Sequence, residues 1–163
     1  MYAQALVKIS NYYNNIKKDK GNNPYSKHIS YILDHLETEE QKLVGMFHSV
    51  LEDHIKTKEG KIIDINELKK WRLSDSIIKS IIILTRLEGE NYNDYIDRII
   101  DSDDINAIKV KFYALEDNLH LERIPNPTQE DIDNIKNKCE PNYEKLKKKL
   151  GELDDRYKID KRK

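Results

Sequence analysis

Cysteine occurs once in the 163 residues, at Cys139, so no disulfide can close within the chain and a reducing compartment is expected. No bias of charge is present either. Lys and Arg number 29 against 30 for Asp and Glu, a net charge of −1, which removes the electrostatic case for general nucleic-acid binding. Long apolar runs are missing. The longest, residues 77–84, is interrupted by Lys79 and Ser80 and is far too short to cross a bilayer, so no membrane association is expected. The opening MYAQALVKIS lacks a basic stretch followed by an apolar one, so nothing suggests export. The expected location is the cytoplasm.

What is present is charge spread over a core. The chain is 37% hydrophobic and 36% charged, against about 25% charged in an average domain. Leu, Ile and Tyr recur in every segment, so the reading is a globular protein rather than a disordered tail. The length suits one domain, able to bury roughly 70% of its unfolded surface.

Apolar residues recur at three- and four-residue spacings nearly throughout, and the five glycines and four prolines mostly fall between these segments. The spacing predicts a first helix over 2–16, ended by KKDKGNNP, and a second over about 26–36. Thr38 with Gln41 makes a capping-box pattern that opens a third helix running to about residue 54. Asp64 with Glu67 starts a short fourth reaching Trp71. Ser74 caps a fifth, whose IIKSIIILT is apolar on nearly all sides and is expected to be central. Asn91 precedes a sixth helix to about Ile100, and Asp103 or Asp104 begins a long seventh to about Arg123. PNPT stops it and Thr128 opens an eighth. The last stretch, interrupted by Gly151, reads as a solvated terminal helix with a frayed basic end. The expectation is an all-α fold of about eight to nine helices, with a core over 1–128 and a C-terminal helical extension of the same domain over 129–163.

Three segments hold chemistry-bearing side chains. His48 lies on an apolar segment, GMFHSVLEDH, with Glu52 one helical turn later and Asp53 beside it. A histidine and two acids on a buried helix face are costly unless they hold water, metal or substrate. Equally, Glu52 and Asp53 can simply end the helix facing solvent. Asp117 and Asn118 fall in the middle of the expected long helix, where Asn is a poor helix former; a bond from Asn118 to a neighbouring backbone group would explain it as well as a function does. DKGNNPYSKHIS is a turn that delivers Tyr25, Lys27 and His28 to the start of a helix, and Gly, Asn and Pro account for the turn without any function. Histidines His35, His54 and His120 read as surface or satisfied polar groups, and Cys139 as structural. There is no Gly-rich phosphate loop, zinc-spaced cysteine set or nucleophile elbow.

Taken together, DKGNNPYSKHI (19–29), MFHSVLED (46–53), LTRLEGENYNDY (84–95) and VKFYALEDN (110–118) resemble, in order and spacing, four motifs of the HD superfamily of metal-dependent phosphohydrolases. The branch most similar is the small stand-alone hydrolases of guanosine tetra- and pentaphosphate alarmones, and the resemblance covers about residues 1–128. It implies an HD-domain-like helical bundle. It also implies a divalent metal, commonly manganese, held by two histidines, the aspartate of a His-Asp pair and a distant aspartate. His28 and His48 match the histidines. Ser49 stands where the paired aspartate is expected and Ala114 where the distant one is, so both anionic ligands are missing. Asp117, one turn beyond Ala114, is the candidate substitute. By the same resemblance Glu52 and Asp53 are the acids that assist catalysis, and Lys20, Tyr25, Arg86 and Asn118 face the nucleotide. The pattern departs again at YNNIK (13–17) and at Ile29.

A hard divalent cation prefers oxygen ligands and carboxylates offset its charge; two imidazoles do neither. The expectation is therefore a catalytically weak or inactive phosphohydrolase-like module that binds a guanine or other nucleotide, or a protein partner, without a required cofactor. The alternative is an active manganese-dependent nucleotide 3′-pyrophosphohydrolase with a rearranged metal site. Tyr2, Tyr12 and Tyr13 offer a surface for an oligomer.

Overall fold

The computed structural model describes residues 25–52 and 62–157. Every regular element among them is helical, which makes the fold all-α. In chain order the helices are α1 (Tyr25–His35), α2 (Glu39–Phe47), α3 (Ile65–Lys70), α4 (Asp75–Leu84), α5 (Tyr92–Asp101), α6 (Ile105–Asn118), α7 (Gln129–Asn134) and α8 (Glu140–Leu153). The expected helix over 2–16, with its tyrosines, lies outside the described residues.

The helix starts follow local capping chemistry. Thr38, Asp64, Ser74, Asn91, Asp104 and Thr128 each accept a hydrogen bond from a backbone N–H of the first turn they precede. At Thr128 the box is reciprocal, because the Asp131 carboxylate accepts from the Thr128 backbone N–H in return. Asp104 does a second job. While Oδ1 caps α6, Oδ2 accepts from the buried Ser80 hydroxyl of α4 at 2.8 Å, tying two helices at one residue.

Helix ends differ more from expectation. α2 stops at Phe47, not near residue 54, because the His48 ring turns back onto the Gly45 carbonyl and Val50 N–H bonds to Phe47 O in a tight turn. α6 stops at Asn118, followed by a 3₁₀ turn at Leu121–Arg123. Asn118 is thus a terminal residue, where its poor helix propensity costs little. The C-terminal segment is less solvated than expected. α7 runs through a π-helical turn at Ile135–Cys139 into α8, which continues past Gly151 because Leu146, Leu150 and Gly151 itself are buried.

α6 occupies the middle of the bundle, packing against α1, α2, α4, α5 and α8. Its two-sided burial, with Ala107, Ile108, Val110, Phe112, Ala114 and Leu115 all inside, suits that position. The IIKSIIILT segment of α4 is less central than its composition implied. Ile77, Ile78 and Ile81 enter the core, but Ile82 is 43% exposed. One continuous core runs from Ile29 of α1 to Leu146 and Leu150 of α8, so the last helix shares the core of the earlier ones.

α2 approaches α1 closely at Gly45, where a Cβ would lie 3.0 Å from Leu36 Cδ1 and 3.2 Å from Ile32 Cγ2. Gly45→Val is therefore expected to destabilise the fold by about 2 kcal/mol through overpacking. Gly45→Ala, where flexible side-chain ends can yield and helix propensity improves, is near neutral. Urea titration of both variants checks the contrast.

Candidate functional site

His28 on α1, His48 in the turn after α2, and Asp117 near the end of α6 come together although they are far apart in sequence. The two imidazole rings lie 5.8 Å apart, tilted by 54°, and all three residues are buried. Asp117 Oδ2 is 2.6 Å from His28 Nδ1. Where the carboxylate accepts, Nδ1 of His28 donates, and the bond fixes the orientation of the ring. His48 is set the same way, with Nδ1 donating to the Gly45 carbonyl at 2.7 Å. Both rings thus have one nitrogen pinned by an oxygen, the arrangement that orients a histidine to ligate or accept through the other.

Asp117 Oδ2 bonds His28, and Oδ1 faces His120 Nδ1 at 3.7 Å. In this arrangement the carboxylate orients His28. Ser49 and Ala114 are buried, Ala114 one turn before Asp117 on α6. Among the described residues no group of three or more His, Cys, Asp or Glu side chains is placed to hold a metal ion. Among the described residues the donors at the pair are two imidazoles and one carboxylate that already bonds His28, a set that offers manganese or another hard divalent ion little anionic oxygen.

The other expected site residues separate into two places. Glu52 is exposed, and its Oε1 accepts from the Arg86 backbone N–H at 2.7 Å. Arg86, Leu87, Gly89, Glu90 and Asn91 join Glu52 around a cavity of about 620 Å³ in the α4–α5 connection. Gly89 makes that turn possible at φ +74°, a left-handed conformation that side-chain-bearing residues avoid. Arg98 fixes the loop: it bonds both carboxylate oxygens of Glu90 and the carbonyls of Ile83 and Thr85 at 2.9–3.0 Å. Asn118 is exposed at the end of α6. Lys20, Asp53 and His54 lie outside the described residues, and Tyr25 is placed only by its backbone, in the first turn of α1. His35 and His120 pack with aromatic rings, His35 stacked on Tyr113 and His120 edge-on to Tyr31.

Sequence reasoning passed over one feature. The Tyr92 ring has three cations about it: Lys138 Nζ at 4.2 Å from the centroid, Lys111 Nζ at 5.5 Å and the Arg86 guanidinium carbon at 5.6 Å. Lys111 Nζ also stands 5.0 Å from the Tyr95 centroid. Burial pulls the Lys111 ammonium down from its ordinary value to about 8, against the opposing charge of Glu52. The same burial pushes the Tyr92 and Tyr95 hydroxyls far up, so both stay neutral. Lys111 was legible only as one turn before Ala114 within VKFYALEDN. Lys138, in a charge-rich stretch, gave no signal of its own.

Two features therefore lie along one side of α6, since Lys111 and Ala114 are three residues apart and about 60° around the helix axis. At one end is a buried, pre-oriented histidine pair. At the other is a cation-rich, aromatic-floored corner next to an open cavity. No protein-family model matches the chain, and no curated protein is similar to it. None of the helices described is long and apolar enough to cross a membrane.

Proposed function

We propose that this chain is a helical phosphohydrolase-like domain, laid out as in the HD hydrolases of alarmones, that has given up metal-dependent hydrolysis and binds a nucleotide. The observation that carries the reading is the fate of the carboxylates. His28 and His48 stand together with Nδ1 pinned on each, as a metal site requires, yet the positions for anionic ligands hold Ser49 and Ala114. The acid beside them among the described residues, Asp117, bonds His28. What the described residues leave there is a buried polar cluster with hydrogen-bonding capacity and little charge to balance a divalent ion.

Glu52 and Arg86, the expected acid and the expected nucleotide contact, meet at the cavity of the α4–α5 connection, which gives a ligand both an acceptor and a cation. The pocket is the right kind of place for a small polar ligand: concave, with a few polar groups converging on it. Tests of the reading combine metal and substrate. Chelator-treated protein titrated with manganese by calorimetry at neutral pH is expected to show no saturable binding. Guanosine tetraphosphate with manganese is expected to release no pyrophosphate. One-to-one manganese binding that disappears in His48→Ala, with turnover that disappears in Glu52→Gln, would overturn the proposal in favour of an active pyrophosphohydrolase.

A further inference from the structure

The geometry points to a phosphate-class anion site on the Tyr92 face, in which Lys111 and Lys138 provide two ammonium groups and Arg86 the guanidinium. Three positive groups share one aromatic ring, each within 5.6 Å of its centroid. Close packing of like charges is unfavourable and needs a counter-charge. The described residues supply little of it. Among them neither lysine ammonium has a hydrogen bond or ion pair, and the contacts of both are with aromatic faces. Glu90 is committed to Arg98. Among the described residues Glu52 is the carboxylate whose charge acts on Lys111, and its Oε1 accepts from the Arg86 backbone.

Local structure holds the cations in place rather than letting them spread. Lys111 projects from the central helix α6. Lys138 sits in the π-helical turn Ile135–Cys139, and the Asn142 amide donates to its carbonyl at 2.8 Å and to Asn93 Oδ1 at 3.0 Å. That turn widens the helix where Lys138 meets Tyr92, and such bulges are frequent at functional sites. Arg86 is anchored by its Nε bond to the Glu90 carbonyl. Two point-like ammonium groups and a planar fork suit a phosphate or diphosphate, which takes both kinds of donor. The cavity lined by Arg86 and Glu52 leaves room for what the phosphate is attached to.

This site deepens the reading above by naming the ligand group and rests on it only for the expectation that a nucleoside follows the phosphate. The probe is inorganic pyrophosphate, titrated into the whole protein at neutral pH and fixed salt. Saturable one-to-one binding is expected, weakened at least tenfold in Lys111→Met and in Lys138→Met. Lys145→Met, which removes a cation paired with Asp97 instead, is expected to leave it unchanged. No binding, or equal weakening by all three variants, would overturn the site while leaving the answer of the manganese titration untouched. A measurement on the unmutated chain guards against misfolded variants. With lysines reductively methylated by ¹³C-formaldehyde, pyrophosphate is expected to raise the titration midpoint of one early-titrating lysine signal by about one pH unit or more, as a bound anion favours the charged amine. A signal that ignores pyrophosphate would overturn the site.

Discussion

The double variant Ser49→Asp with Ala114→Asp is expected to bind manganese one-to-one, at least a hundredfold more tightly than the unchanged chain. The histidines need no rebuilding, because both already hold Nδ1 against an oxygen. What is missing is anionic oxygen, and two carboxylates at these positions would supply it together with charge neutralisation. A hundredfold gain corresponds to about 2.7 kcal/mol, modest for two added carboxylate ligands. Without metal the same variant should suffer. Ala114 is 3% exposed and Ser49 is 7% exposed, so each new carboxylate enters a buried site beside another acid, at a cost of about 2–4 kcal/mol at neutral pH. Thermal melts with and without manganese should therefore diverge widely in the variant and coincide in the parent. A variant that melts low and ignores manganese would mean that the pocket around His28 and His48 no longer has the shape of a metal site.

Lys111→Met is expected to stabilise the fold by about 2–3 kcal/mol at neutral pH and to raise the melting temperature by roughly 5–10 °C. The sign follows from which state holds the proton. Burial brings the folded-state pKa of Lys111 down to about 8 from an ordinary 10.5, so between those values the unfolded chain binds more protons than the folded one. Stability from this group then rises with pH across that window. Below pH 8 the cost of keeping a charged ammonium against Tyr92 and Tyr95 is present in full; above about 10.5 it has gone. Met keeps the apolar stem and never carries the charge. Its advantage over Lys should be largest at pH 7 and should fade by about pH 10.5, where both side chains are neutral. Denaturant titrations of the two proteins at pH 7, 8.5 and 10 check this, and an advantage that fails to shrink would place its cause in packing instead. A residue that destabilises its own fold and weakens an anion site when removed fits the usual exchange of stability for function.

The sequence by itself determined where most helices begin. Thr38, Asp64, Ser74, Asn91, Asp104 and Thr128 cap the helices they were expected to open, because a cap is a bond over two or three residues and needs nothing from the rest of the chain. The all-α class was legible for a similar reason, since the apolar spacing that makes an amphipathic helix is a local pattern. Helix ends were less so. α2 ends at Phe47 and α6 at Asn118, in both cases short of the apolar pattern, and α8 runs through Gly151 because the core covers it.

Only the tertiary structure decided the site. That Asp117 meets His28 depends on a contact across 89 residues. That Lys111, Lys138 and Arg86 share the Tyr92 ring depends on how α5, α6 and the π-helical turn pack together. Side-chain hydrogen bonds and charge pairs reach only a few ångströms, so their partners are fixed by the docking of whole helices, which sequence spacing along any one of them does not specify.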